Sequence, residues 1–113
     1  MTKIYHNPRC SKSRQTLALL EEKGEQIEVI EYLKSSPTQS ELAELVAMLG
    51  IHPLELVRKG EAIFKEQYKG KELSETQWIE AMVTHPILIE RPVVVKNGKA
   101  AIGRPIEKVI DIL

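Results

Sequence analysis

Ten residues near the start of the chain, Tyr5-His6-Asn7-Pro8-Arg9-Cys10-Ser11-Lys12-Ser13-Arg14, hold the groups best suited to chemistry. Cys10 is the only cysteine. It follows Lys3-Ile4-Tyr5, which reads as a short strand, and precedes Leu17, Leu19 and Leu20, whose spacing starts an amphipathic helix that runs to Gly24. Cys10 is therefore expected at a helix start, where the first N–H groups lack intrahelical partners and the helix dipole is positive. Arg9, Lys12, Arg14 and His6 add to the positive surroundings. A shift of about two units from the ordinary thiol value of about 8.5 would make thiolate the majority form at neutral pH. The opposing expectation for a lone cysteine is a small buried hydrophobe. The charged and hydroxylic neighbours weigh against it, as does the absence of Cys10 from any apolar period.

A nucleophilic thiolate needs an electrophile and something to orient it. Arg58, Arg91 and Arg104 stand at the edges of expected elements, and Arg91 and Arg104 each directly precede a proline. Guanidinium forks bind tetrahedral oxyanions in a bidentate geometry that lysine cannot copy. Gathered around one thiolate, these arginines describe a site for a small, doubly charged oxyanion. Any one of them alone would read as a surface residue with a solvated head. The Arg-Pro context and the cysteine together favour the site. His52 and His85 precede prolines at helix boundaries and read as structural. With one cysteine and scattered histidines there is no metal-ligand spacing, so neither a metal nor a bound cofactor is expected.

The elements that must hold these residues follow from patterns along the chain. Gln26 to Ile30 alternates as a strand, and strand–helix–strand implies a parallel pair joined by a crossover helix. Thr38 and Glu41 form a capping box for a helix with the stripe Leu42, Leu45, Val46 and Leu49, ending at Gly50. A break at Ile51 to Leu54 and a short helix from about Glu61 to Tyr68 follow. Ser74 and Gln77 then cap a helix over Glu75 to Thr84 with Trp78, Ile79 and Met82 inward, stopped by His85-Pro86. Val93 to Lys96, Asn97-Gly98 and Lys99 to Ile102 read as a hairpin. Gly103-Arg104-Pro105 opens a last helix with the stripe Ile106, Val109, Ile110 and Leu113. The order is that of an α/β, thioredoxin-like architecture: a βαβ unit and a ββα unit in a mixed four-stranded sheet. One domain over residues 1–113 is expected, with a helical insertion at about 38–84. In this architecture the start of the hairpin lies beside the first helix, so Arg91-Pro92 is expected near Cys10, with Pro92 as a cis-proline.

The composition limits the partners. At 113 residues and 42% apolar, the chain can bury one core. Its 16 basic and 16 acidic residues cancel, so no global field draws it to nucleic acid or an anionic membrane. No signal-like or membrane-spanning apolar run is present. One cysteine permits no internal disulfide, which fits a reducing cytoplasm, and a monomer is expected.

Several segments together carry a resemblance: the stretch from Tyr5 to Arg14, Val57-Arg58-Lys59, the run His85 to Val95 containing Glu90-Arg91-Pro92, and Gly103-Arg104-Pro105. The chain resembles the glutaredoxin-coupled, ArsC-like arsenate reductases from its first strand to its last helix. Members of that family commonly continue past the last helix, whereas this sequence stops at Leu113. The resemblance implies Cys10 as nucleophile, Arg58, Arg91 and Arg104 as the oxyanion-binding arginines, and His6 close to the cysteine. It also implies a covalent thiol–arsenate adduct, glutathione as co-substrate and glutaredoxin as partner. The arsenate reductases built on the small phosphatase fold are excluded, because they place an arginine after five residues following the cysteine, where this chain has Thr16, and need further cysteines. Two alternatives stay open. Spx-type regulators share the architecture and bind RNA polymerase, but commonly through a Cys-x-x-Cys switch whose second position is Ser13 here. A thiol oxidoreductase of the same family acting on another substrate is the other.

Overall fold

A computed structural model describes residues 1–113. They form two compact units, one of residues 1–35 with 91–113 and one of residues 36–90.

The first unit holds the sheet: β1 (Thr2–Tyr5), β2 (Ile27–Ile30), β3 (Val93–Lys96) and β4 (Lys99–Ile102), in the order β2-β1-β3-β4. β1 runs parallel to β2, with Thr2 opposite Ile27 and Tyr5 opposite Ile30, because the helix α1 (Ser11–Glu22) carries the chain back between them. β3 is antiparallel to both β1 and β4. The β3–β4 turn has Asn97 at φ 51° and Gly98 at φ 75°, the pair of left-handed residues that a two-residue hairpin demands. Ile4, Leu20, Val94, Ala101 and Val109 form the buried core, with Leu17, Ile27, Ile112 and Leu113 packed against it. The mixed four-stranded sheet of a thioredoxin-like fold is thus present.

The last helix, α5, is shorter than its apolar spacing suggests, at Glu107–Ile110. Its stripe is also rotated. Val109 is buried, but Ile110 is 42% exposed, and Ile112, just past the helix, packs on the core in its stead. A single turn cannot sustain a helical period, so the closing residues follow the local path of the chain.

The second unit contains α2 (Gln39–Leu49), α3 (Ala62–Gln67), α4 (Glu75–Thr84) and two 3₁₀ turns, Pro53–Leu56 and Pro86–Leu88. Both expected capping boxes form. Thr38 Oγ1 accepts from the Glu41 N–H while Glu41 accepts from the Thr38 N–H. Ser74 and Gln77 exchange the same pair of bonds. α4 packs on α2 and on both 3₁₀ turns, burying Trp78, Ile79 and Met82. Trp78 also stacks on Phe64, with ring centroids 6.0 Å apart. The break expected at Ile51 to Leu54 contains the start of a 3₁₀ turn capped by His52, whose Nδ1 accepts from the Leu54 N–H at 3.1 Å. No helix is long and apolar enough to cross a membrane.

Candidate active site

The loop from β1 to α1 is folded by its own polar groups. The Cys10 N–H donates to the Asn7 carbonyl at 3.0 Å, and Asn7 Oδ1 accepts from the Arg9 N–H at 3.0 Å. The Asn7 N–H in turn donates to Ser13 Oγ at 3.1 Å, and Ser13 Oγ lies 2.6 Å from His6 Nδ1. Ser13 Oγ accepts from Asn7 and keeps its own proton to give; donation of that proton to Nδ1 corresponds to the tautomer with hydrogen on Nε2. Burial lowers the pKa of His6; Glu31 pulls the other way and Arg14 adds to the lowering. His6 is therefore a neutral scaffold group, and the positive charge expected from it beside Cys10 is absent.

Cys10 is the N-cap of α1, with extended backbone at φ −94° and ψ 122°. It is 8% exposed, yet its surroundings are polar. Burial alone would raise the thiol pKa, but backbone donation from Ser13, a hydrogen bond and charge from Arg91, and donation from Lys12 outweigh it and hold the pKa below its ordinary value. No regular side-chain cap hydrogen bond forms at Cys10. Lys12 acts here through its N–H and not through its ammonium. Arg14 Nη1 is taken up by the Pro8 carbonyl at 3.0 Å.

The guanidinium of Arg104 completes the site. Its Nη2 lies 3.4 Å from Cys10 Sγ, and its Nε donates to the Arg91 carbonyl at 2.8 Å. One arginine therefore touches the thiol and ties down the other. The Arg91–Pro92 bond is cis, as the fold led us to expect, and so is Arg104–Pro105, which the sequence reading did not anticipate. Between them Gly103 donates its N–H to the Pro92 carbonyl at 2.9 Å. A Cβ on Gly103 would stand 2.8 Å from Pro92 Cγ and 3.0 Å from Thr16 Oγ1. Glycine is what lets the two Arg-Pro segments close on α1.

Cys10, Arg91, Pro92, Arg104 and His6 thus all belong to the first unit. Arg58 belongs to the second, where its Nε pairs with Glu61 at 3.2 Å and its Nη1 with Glu90 at 2.9 Å. Sequence reasoning missed Ser13, Thr16 and Gly103. Ser13, Thr16 and Leu20 are the buried residues of α1, so its inward stripe begins polar. That spacing was the available signal. No group of three or more His, Cys, Asp or Glu side chains is placed to hold a metal ion.

A profile of the ArsC family matches residues 5–112. The chain is 50% identical over 113 residues to the uncharacterized protein YfgD of Escherichia coli, covering 98% of this chain and 95% of that one. It is 43% identical to an arsenate reductase of Neisseria meningitidis, covering 98% and 97%. The solved structure of an arsenate reductase from Vibrio cholerae superposes with a TM-score of 0.94 at 49% identity, over 99% of this chain and 97% of the other. A match spanning the loop before Cys10, both Arg-Pro segments and the helices between them makes this chain a member of the ArsC family.

Proposed function

We propose that this protein reduces arsenate to arsenite, using Cys10 as nucleophile and glutathione with glutaredoxin as the source of electrons. The observation that carries the proposal is the Arg104 guanidinium 3.4 Å from a thiol whose pKa is held down, with Arg91 bonded to the same sulfur. In the resting protein the thiolate partly satisfies both arginines. A bound oxyanion takes over those donors, and its central atom is then within reach of the sulfur.

The thiolate forms an S–As bond and one arsenate oxygen leaves as water after protonation. Glutathione displaces a second oxygen, again as water. A glutaredoxin thiolate attacks the glutathionyl sulfur, and the electron pair of the As–S bond collapses onto arsenic, taking it from As(V) to As(III). Hydrolysis releases arsenite and regenerates Cys10. Two thiols are oxidised to one mixed disulfide, which balances the two electrons gained by arsenic. Because Cys10 is the only cysteine, the resolving thiols have to come from outside. A reducing cytoplasm supplies them, and a monomer suffices for the chemistry at Cys10. In this scheme Arg91 and Arg104 hold the oxyanion first. Arg58, the third arginine that the resemblance implies, is engaged by Glu61 and Glu90.

The test is steady-state arsenate reduction with glutathione and glutaredoxin. Turnover that disappears in Cys10→Ser is expected; a wild-type protein with no arsenate turnover above background refutes the proposal. One observation favours a second reading, a thiol oxidoreductase acting on another substrate: Arg58 is already engaged by two carboxylates. A glutathionylated substrate turned over where arsenate is not would establish it.

A further inference from the structure

A cavity of about 210 Å³ lies beside the Cys10 loop, lined by His6, Asn7, Pro8, Arg9, Glu31 and Lys34, with Leu33 at its wall. The mechanism above uses none of its charged groups. The protein carries no net charge, but this pocket does. Arg9 and Lys34 line it against the single carboxylate of Glu31. Lys34 Nζ and Glu31 Oε1 are 3.5 Å apart, so cation and anion stand together on the wall. The His6 imidazole, its pKa lowered by burial, also lines the pocket.

A wall that pairs a cation with an anion matches an α-amino-acid group, whose carboxylate and ammonium are likewise adjacent. The surplus positive charge favours a ligand that is negative overall. The volume falls below the roughly 300 Å³ of sites that engulf a drug-sized ligand, so it takes one end of a small peptide and leaves the rest outside. Arg9 immediately precedes Cys10, and two extended residues span about 7 Å. The subsite requires that a thiol one residue away from the seated end span the separation between this cavity and Cys10 Sγ.

We infer that this pocket is the docking subsite for the resolving thiol, seating the γ-glutamyl amino-acid end of a glutathione-like peptide between Glu31 and the cations Arg9 and Lys34. The inference rests on the proposed reaction for its thiol. The binding itself can be read without turnover.

The probe is S-methylglutathione, which cannot react, titrated into the whole protein and followed by amide NMR shifts. Perturbation centred on His6 to Arg9 and Glu31 to Lys34 is expected. The double variant Arg9→Glu/Lys34→Glu, on exposed side chains that leave the core untouched, is expected to weaken binding about tenfold. In turnover the same variant is expected to raise KM for glutathione and leave KM for arsenate unchanged. Dithiothreitol, which lacks the amino-acid group, is expected to serve wild type and variant equally. Shifts elsewhere, or unaltered binding in the double variant, overturn the subsite even if arsenate is reduced. Shifts at the pocket without arsenate turnover uphold it and refute the proposed function instead.

Discussion

Two kinds of group set the behaviour of Cys10: backbone and guanidinium donors that favour its thiolate, and a neutral imidazole that holds its loop. The His6 pKa is lowered chiefly by burial, so the folded state resists taking up a proton there. The unfolded chain protonates near the ordinary histidine value of about 6.5, and stability is therefore full above that pH and falls as the pH drops below it. In His6→Asn, where Oδ1 can replace Nδ1 as acceptor for Ser13, the acid-side loss of stability is expected to be shallower. Thermal melts from pH 7.5 to 5 compare the two. The arginines act through geometry as much as charge. Arg91→Lys and Arg104→Lys keep the charge and lose the fork, and each is expected to lower kcat/KM for arsenate by about tenfold to a hundredfold, at about 1.4 kcal/mol per decade. Arg58→Lys is expected to lower it by less than about tenfold, since Glu61 and Glu90 already hold two of its donors. Steady-state kinetics rank the three.

Among the elements, signals closed within a few residues and the pairing of the sheet were legible in the sequence, while individual long-range side-chain partners were not. The boxes at Thr38 and Ser74 and the Asn97-Gly98 turn are closed by residues at most three apart, so spacing alone identifies them. The buried face of α1 escaped because Ser13 and Thr16 are polar: Ser13 is satisfied by His6 and Asn7 across the loop, while Thr16 Oγ1 donates to the Lys12 carbonyl one turn back on the face that Gly103 approaches. The pairing of Arg58 with Glu61 lies within local reach, but that with Glu90 spans 32 residues. The second cis bond, at Pro105, carries no mark that separates it from other X-Pro bonds. Among the glycines, Gly103 alone has no room for a Cβ. Gly103→Ala puts a methyl 2.8 Å from Pro92 Cγ, a ring atom with little freedom to move. A loss of about 1–3 kcal/mol in urea unfolding is expected, with a fall in arsenate turnover as Arg91 and Arg104 shift.

At the scale of the molecule, the fold gathers one thiol and no second one. Neutral overall charge and a single cysteine were readable from composition, and they already imply that the site is local and its reductant external. What composition could not tell is which arginines share a unit with the thiol: Arg91 and Arg104 do, and Arg58 lies in the other. Exposure to glutathione disulfide is expected to give a single adduct on Cys10 by intact-mass spectrometry, reversed by glutaredoxin far faster than by thioredoxin. Equal rates with the two reductants would count against the proposed electron source.

The most direct test of the central claim, an activated thiolate poised to meet an oxyanion, is the rate of Cys10 alkylation by iodoacetamide across pH, with and without arsenate. The account predicts a midpoint below the ordinary thiol value of about 8.5 and slower alkylation when arsenate is bound. A midpoint at or above that value, with rates indifferent to arsenate, would contradict it.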